Sequence, residues 1–315
     1  MQKYKIDRMG DLNLCKVSIA LLTYNHKDYL EDAIESVLKQ KVNFKYEIVI
    51  GDDCSTDGAV DIIERYKSKY PNIIKYNPNN SHVGIMQNEL NMLNSCEGEY
   101  IAFLEGDDNW INENKLQMQV DFLDKNKDYS ACYTDVKVIG DDILAIEEYN
   151  SRKYNKDINS FEEYFNYNPV MPTATVMFRN IVKEENIEKY YFISQYISDR
   201  IMFCLMLKYG KVKFLDSETA IYRYILHKKG SFSSMDIVWK HYDYVRSLRA
   251  QRIIAPKEYK YLVDQEIAFF QKLIMKIFLS RSNYLEFIKY FFIEVKFIER
   301  LKLLLYRREK IAWQK

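Results

Sequence analysis

The chain reads as an α/β protein: a mostly parallel sheet flanked by helices, followed by a helical C-terminal extension. Three observations predict it. Apolar runs alternate with helical periodicities over residues 16–104. The runs are nearly continuous rather than alternating, as in strands buried on both faces. Polar clusters follow three of these runs, and such sheets bind ligands outside the carboxyl ends of their strands.

The elements follow in order. KVSIALLT at 16–23 is the first strand and leads into TYNH. Residues 27–40 place Leu30, Ile34, Val37 and Leu38 at helical spacing. YEIVIGDD at 46–53 is a second strand, bounded by CSTDG. Asp57 is placed to cap the next helix, whose apolar positions are Val60, Ile62, Ile63 and Tyr66. A short strand, IIKY, precedes the polar loop NPNNSHVG, a helix at about 85–95 and a strand at 100–104 that ends in EGDDNW.

Asn112 can cap a helix running to about 126, with Leu116, Val120, Phe122 and Leu123 inward. Residues 129–139 read as a strand and 140–160 as a polar loop or flap. TATVMF at 173–178 is β-branched and reads as a strand. A helix is expected at 198–209 with Asp199 in its first turn, then short strands at 211–215 and 219–224. Helical pattern dominates from about 236 to the end. Two domains are expected, at 1–235 and 236–315.

At 315 residues, 48% hydrophobic and 29% charged, the composition is globular and not disordered. The 5 Cys are scattered with no CxxC pair, which predicts neither a disulfide framework nor a zinc site and fits a reducing cytosol. The N-terminal MQKYKIDRMGDLNL has no apolar h-region, so no signal peptide is expected. No apolar run is long enough for a transmembrane helix. The net charge of +1 hides an asymmetry: residues 236–315 carry 17 Lys+Arg against 9 Asp+Glu, leaving 29 against 36 in the rest.

The polar clusters carry the chemistry. In EGDDNW, Glu105, Asp107 and Asp108 crowd one strand end, and carboxylates that close need a compensating cation. Mg2+ or Mn2+ takes oxygen ligands, often one or two carboxylates plus substrate phosphates. A helix N-terminus also accommodates acids, so both readings stand. Gly106 favours the cation, because it permits a tight turn that aims the acids into a cleft.

In DDCSTDG a cap explains Asp57 but explains Asp53 less well; a carboxylate there can accept hydrogen bonds from a base or ribose. Thr23, Tyr24 and Asn25 offer a hydroxyl, an aromatic face for stacking and an amide, though such residues are also common in turns. Asp199 fits a helix-start acid, worth roughly 0.3–1 kcal/mol. It also fits a general base, and the residues alone favour the helix acid. His227 lies in YRYILHKKGSFS among Arg223, Lys228 and Lys229, a basic loop suited to a diphosphate or simply solvated. Neither GxGxxG nor GxxxxGK[ST] occurs, which argues against a dinucleotide dehydrogenase and a P-loop enzyme.

Taken together, KVSIALLTYN, YEIVIGDDCSTDG and GEYIAFLEGDDNW, in that order, resemble the family 2 glycosyltransferases of the GT-A fold. KLQMQVDFL, TATVMF, ISD and the YR…H…G…S stretch also fit, and the chain looks like a bacterial subgroup whose metal motif reads EGDDxW. The resemblance covers about residues 14–235. It implies that Thr23, Tyr24 and Asn25 lie near a nucleotide base and that Asp53 binds it. It implies Asp108 as a ligand of Mn2+ or Mg2+. Asp107 would lie beside the ribose and phosphates and near the metal, and His227 would be a further metal ligand. Asp199 becomes the base that deprotonates the acceptor hydroxyl. Glu105 stands where many relatives have Asp. Many relatives carry an Arg-Asn pair soon after the Gly matching Gly84, where this chain reads IMQNELN.

The resemblance further implies inverting transfer from a nucleotide-diphosphate sugar, UDP being the family's usual carrier, to a glycan or lipid-linked acceptor in bacterial surface polysaccharide synthesis. The 140–160 segment and the late loop are expected to close over the donor. The basic tail is expected either to pack as a helical cap on the catalytic domain or a second subunit, or to lie on an anionic membrane. The expected place is cytoplasmic, peripheral on the inner face of the plasma membrane in the second case. No nucleic-acid partner is expected. Two other classes remain: a sugar-nucleotide binding protein without turnover, and a nucleotidyltransferase, against which TYNHKDYL lacks the usual glycines.

Overall fold

The computed structural model of the protein describes residues 14–224 and 235–293. Four strands form its parallel half: β1 (Val17–Thr23), β2 (Tyr46–Asp52), β3 (Ile74–Tyr76) and β4 (Tyr100–Glu105). β1 pairs in parallel with β2 and β4, and β2 with β3. The crossovers are α1 (Lys27–Leu38), α2 (Ala59–Lys69) and α3 (Ile85–Asn94). The continuous apolar runs have the expected cause, because both faces are covered. Ile19 and Leu21 share a core layer with Leu30, Ile34 and Val37 of α1. Ala20, between them, belongs to the opposite layer with Leu90 and Leu93 of α3.

The second half of the sheet is mixed. After β5 (Asn109–Trp110) and α4 (Lys115–Lys125) come β6 (Tyr129–Gly140), α5 (Ile143–Ser151), α6 (Phe161–Tyr167), β7 (Met177–Arg179) and α7 (Glu188–Tyr191). α8 (Asp199–Tyr209) and β8 (Lys211–Tyr224) close this part. Among the described residues the sheet has eight strands in the order β3-β2-β1-β4-β7-β6-β8-β5. β7 runs antiparallel to β4 and β6, β6 and β8 are parallel, and β5 is antiparallel to β8.

Three local expectations are corrected. Residues 173–175 form a 3-10 turn, leaving only Met177–Arg179 as strand. The Pro172 carbonyl accepts from both the backbone N–H and the hydroxyl of Thr175, which winds the chain before it can extend. The polar 140–160 segment contains α5, started by Asp142, whose carboxylate accepts from the Ala145 N–H at 3.0 Å. The two short strands expected at 211–215 and 219–224 are one. Register shifts opposite Asp135 absorb the polar residues 216–218 without ending the ladder.

Beyond residue 235 the chain is helical as expected, through α9 (Ile237–Ile254), α10 (Lys260–Ser280) and α11 (Tyr284–Ile293). Val245 and Leu248 of α9, and Val263 and Ile274 of α10, share a core with Ile201 and Leu205 of α8. No helix among the described residues is long and apolar enough to cross a membrane. The late loop with His227 lies outside the described residues.

Candidate active site

The site forms at the carboxyl ends of β1, β2 and β4. Thr23 ends β1 and is buried, and its hydroxyl has no hydrogen-bond partner among the described residues. Tyr24 is 40% exposed, its ring 5.0 Å from that of His82. Asn25 takes the left-handed conformation (φ 55°). Its side-chain oxygen accepts from the Thr56 N–H at 2.9 Å, and its own N–H donates to the Ser55 hydroxyl at 2.8 Å. Asn25 therefore ties the loop after β1 to the loop after β2.

The acids of that second loop are each held by the protein's own donors. Asp52 accepts from both the N–H and the hydroxyl of Ser55. Asp57 accepts from the Lys27 N–H at 2.8 Å and the Ala59 N–H at 3.0 Å, so it holds the first N–H of α1 and of α2, although the N-cap of α2 is Gly58 and not, as the sequence suggests, Asp57. Asp53 is buried and accepts from the N–H groups of Val83 (2.7 Å) and Gly84 (2.9 Å), with His82 Nδ1 3.0 Å from its Oδ2. It pins the loop that enters α3. A carboxylate has room for about four hydrogen bonds, so Asp53 retains capacity for a ligand.

The acids after β4 are placed differently. The Gly106 N–H donates to the Leu22 carbonyl at 2.8 Å, and the Asp108 N–H to the Glu105 carbonyl at 3.0 Å, forming a tight turn. A Cβ on Gly106 would lie 2.6 Å from Thr23 Oγ1 and 2.9 Å from His26 Nδ1, so any side chain there would have to displace one of them. Glu105 has one carboxylate oxygen buried without a hydrogen-bond partner among the described residues. Burial, with Asp107 adding, pushes it up to about 8. Asp107 Oδ2 lies 3.4 Å from His26 Nε2. Asp108 is buried and accepts from the Arg223 N–H at 2.9 Å; burial first, then Glu105 and Asp107, hold it well above the usual carboxylate range. β5 continues from Asp108 and pairs with β8, which brings Arg223 to the turn.

Three crowded carboxylates, two of them raised by burial and by one another's charge, form a donor set that a hard divalent cation fits. Among the described residues, no three His, Cys, Asp or Glu are gathered closely enough to hold an ion by themselves. A site with one or two protein carboxylates and further ligands from a bound phosphate has that character.

Asp199 opens α8 and lines a cavity of about 360 Å3 together with Glu105, Glu89, Thr173, Ser198 and Tyr196. Asp107, Asp108 and Asp53 lie outside that lining. Burial raises Asp199 above its ordinary value, against the pull of the Arg200 N–H, which donates to it at 2.7 Å, and the Arg200 charge.

Glu89 is a residue the motifs do not single out. It is buried on α3 and accepts from the Tyr191 hydroxyl at 2.9 Å and from the Ser198 hydroxyl, tying α3 to the start of α8. Burial pushes it up to about 7, with Asp199 adding. Its signal in the sequence is a carboxylate on the apolar face formed by Met86, Leu90 and Leu93. Lys115 is a second such residue. It is wholly buried, donates to Gln119 Oε1 at 2.8 Å and sits 4.1 Å from the Trp110 ring centroid. Burial pulls it down to about 7, while the indole face favours its charged form. Trp110 Nε1 and Gln119 Nε2 donate to the carbonyls of Ala174 and Thr175, both at 2.8 Å. KLQMQ and the Trp of EGDDNW thus hold the 3-10 turn whose Thr173 lines the cavity.

An acid-lined cleft at the carboxyl edge of a parallel sheet belongs to the class of α/β proteins that bind nucleotides and related ligands there. The model of the family described as Glycosyl transferase family 2 matches residues 18–185, more than half of the chain, and the chain belongs to that family. It is 39% identical over 108 residues to the putative teichuronic acid biosynthesis glycosyltransferase TuaG of Bacillus subtilis, covering 34% of this chain and 41% of that one. The chain spans about two fifths of the length of the curated relatives it first matches. Among solved structures it resembles S. aureus TarS 1–349 in complex with UDP (TM-score 0.58, 19% identity, 91% of this chain and 78% of that one). It also resembles the mannosyltransferase PcManGT from Pyrobaculum calidifontis in complex with GDP-Man and Mn2+ (TM-score 0.55, 15% identity, 98% and 83%). The fold is GT-A, with helices following it.

Proposed function

We propose that the protein is an inverting, metal-dependent glycosyltransferase. It moves a sugar from a nucleoside-diphosphate sugar, with UDP as carrier, to a hydroxyl of a glycan or lipid-linked acceptor in bacterial surface polysaccharide synthesis. One observation carries the reading: Asp199 and Glu105 line the same cavity, and the Asp107–Asp108 pair follows Glu105 in one tight turn. The family and the neighbours that bind UDP or GDP-Man support it.

The placement of the residues supports the following roles. Tyr24, exposed beside His82, offers its face to the base, and Asp53 offers its remaining lone pairs. Thr23 and Asn25 shape that end of the cleft. Asp108 and Asp107 would hold Mn2+ or Mg2+, which when bound supplies positive charge to the departing diphosphate. His227, assigned by resemblance as a further ligand, keeps that role as a proposal. The sugar occupies the cavity below Glu105. Asp199 accepts the proton of the acceptor hydroxyl as that oxygen bonds to the anomeric carbon. The anomeric C–O bond to the diphosphate breaks, and the nucleoside diphosphate leaves from the opposite face. A carboxylate raised towards neutrality by burial suits a general base.

We assign residues 1–235 to catalysis and 236–315 to a basic helical extension. α11 exposes Leu285, Ile288 and Phe292, a face for an anionic membrane or a second copy. Flotation with anionic vesicles, run beside sedimentation of the protein alone, separates these two partners.

The test is a screen of nucleotide sugars with Mn2+ or EDTA, reading release of the nucleoside diphosphate. Asp199→Asn should lower release by about 10²–10⁴-fold and spare nucleotide binding. Release unaltered in that variant would remove Asp199 from the chemistry, and thermal stabilisation by no nucleoside diphosphate would sink the whole reading.

A further inference from the structure

A second cavity, of about 330 Å3, lies against the first. Ile197, Asp199, Arg200 and Tyr244 line both, so Asp199 stands in the wall between them. With the donor sugar on the Glu105 side, the attacking hydroxyl reaches Asp199 from the second cavity. Its character is the reverse of the first. Arg152, Arg200, Lys240 and His241 line it, and among the described residues Asp199 is the one carboxylate in that lining. Pro169, Phe203 and Phe270 give it apolar walls.

Arg200 is the centre of this cavity's chemistry. The residue is 8% exposed. Its guanidinium sits over Tyr164 at 4.6 Å, and Nη1 donates to the Pro169 carbonyl at 3.1 Å. Nε and Nη2 are buried with no hydrogen-bond partner among the described residues. Neither nearby acid hydrogen-bonds the guanidinium: Asp199 accepts from the Arg200 backbone N–H, and Glu266 accepts from the Tyr244 hydroxyl at 2.9 Å while its Oε2 stays buried without a partner among the described residues, so these acids act on Arg200 through charge alone. At the rim, the Glu148 carboxylate stays 3.9 Å from exposed Arg152. Leaving charged N–H groups buried without acceptors is costly, and a planar guanidinium suits bidentate capture of an oxyanion.

We propose that this second cavity is an acceptor subsite for a phosphate group, in which Arg200, with Lys240 and Arg152 at the rim, binds a phosphate adjoining the hydroxyl to be glycosylated. This rests on the glycosyltransferase reading and narrows its acceptor to a phosphate-bearing one. The same chemistry serves a phosphate of a polyol-phosphate polymer and the diphosphate of a lipid-linked saccharide.

The experiment saturates the full chain with UDP and Mn2+, so that the donor diphosphate site is filled, and titrates in glycerol 3-phosphate or glycerol by calorimetry. Glycerol 3-phosphate should bind and glycerol should not. Arg200→Gln should weaken binding by about tenfold or more. The rim double variant Arg152→Ala with Lys240→Ala should weaken it severalfold, and carries the test alone if the buried Arg200 variant does not fold. Short poly(glycerol phosphate) and a detergent-solubilised polyprenyl-diphosphate saccharide are then offered as acceptors. Whichever is glycosylated in a rim-dependent way identifies the source of the phosphate. UDP bound without glycerol 3-phosphate, or glycerol 3-phosphate bound equally by wild type and the rim variant, overturns the subsite and leaves the transferase reading standing. Failure of UDP and every other nucleoside diphosphate to bind overturns both.

Discussion

Two strand ends in this protein carry the same residue type and treat it in opposite ways. After β2, Asp52, Asp53 and Asp57 each accept hydrogen bonds from backbone N–H groups within the protein. After β4, Glu105 keeps a buried oxygen without a partner, and Asp108 has one backbone donor against two neighbouring acids. The difference lies in the supply of donors. The loop after β2 turns through Ser55 and faces the loop entering α3, so N–H groups converge on it. The turn after β4 is closed by its own backbone and packed by Gly106 against Thr23, which leaves its acids facing one another. The first cluster organises loops; in the second, the described residues bring His26 to Asp107 and Arg223 to Asp108, and leave a Glu105 oxygen with no hydrogen-bond partner.

The largest effect that would break this contrast is at Asp108. Asp108→Asn should lower transfer by about 10²-fold or more, yet leave the ligand-free protein as stable as before or more so, since a neutral amide replaces a buried acid. Urea unfolding without ligand, read beside nucleotide release, checks both signs. Asp53→Ala should do the opposite to stability, costing about 1–3 kcal/mol because two backbone N–H groups lose a charged acceptor. A variant that unfolds at the wild-type urea concentration would contradict the pinning role.

Gly106→Ala sharpens the packing half of the contrast. Its methyl would meet Thr23 and His26, and a loss of about 1–3 kcal/mol is expected from thermal melts. The smallest effect is one of slope. Glu89 sits at about 7 when folded, above its ordinary 4.5, so the folded chain holds a proton that the unfolded chain has already released. Its contribution is fully present below about 4.5 and is lost as pH rises through about 7. Wild-type stability should therefore fall relative to Glu89→Gln between pH 5 and 8. A constant difference across that window would mean that Glu89 does not titrate in its buried site.

Local pattern made much of this molecule legible. The continuous runs at 16–23, 46–53 and 100–104 are β1, β2 and β4, because a strand covered on both faces has no polar side to show. The spacing of Leu30, Ile34 and Val37 is α1, and Asp199 opens α8 where ISD placed it. Expectations missed where a tertiary partner overrode a local preference. Thr173–Thr175 is β-branched yet winds onto the Pro172 carbonyl under the grip of Trp110 and Gln119. Residues 211–224 contain a polar break, yet remain one strand because β6 supplies an unbroken ladder with a bulge.

The sequence by itself determined the α/β class, the order of the strands along the chain and the acids that end them, since these depend on neighbours within a few residues. Tertiary structure alone decided which acids are satisfied and which are not, that Asp199 and Glu105 face one cavity, and that Arg200 is buried behind Asp199 with N–H groups to spare. Those properties come from donors and walls brought in across the fold: Val83 and Gly84 to Asp53, Arg223 to Asp108, and Tyr191 and Ser198 to Glu89. A side chain's charge is written in its residue type, but its electrostatic cost is set by what the folded chain places around it.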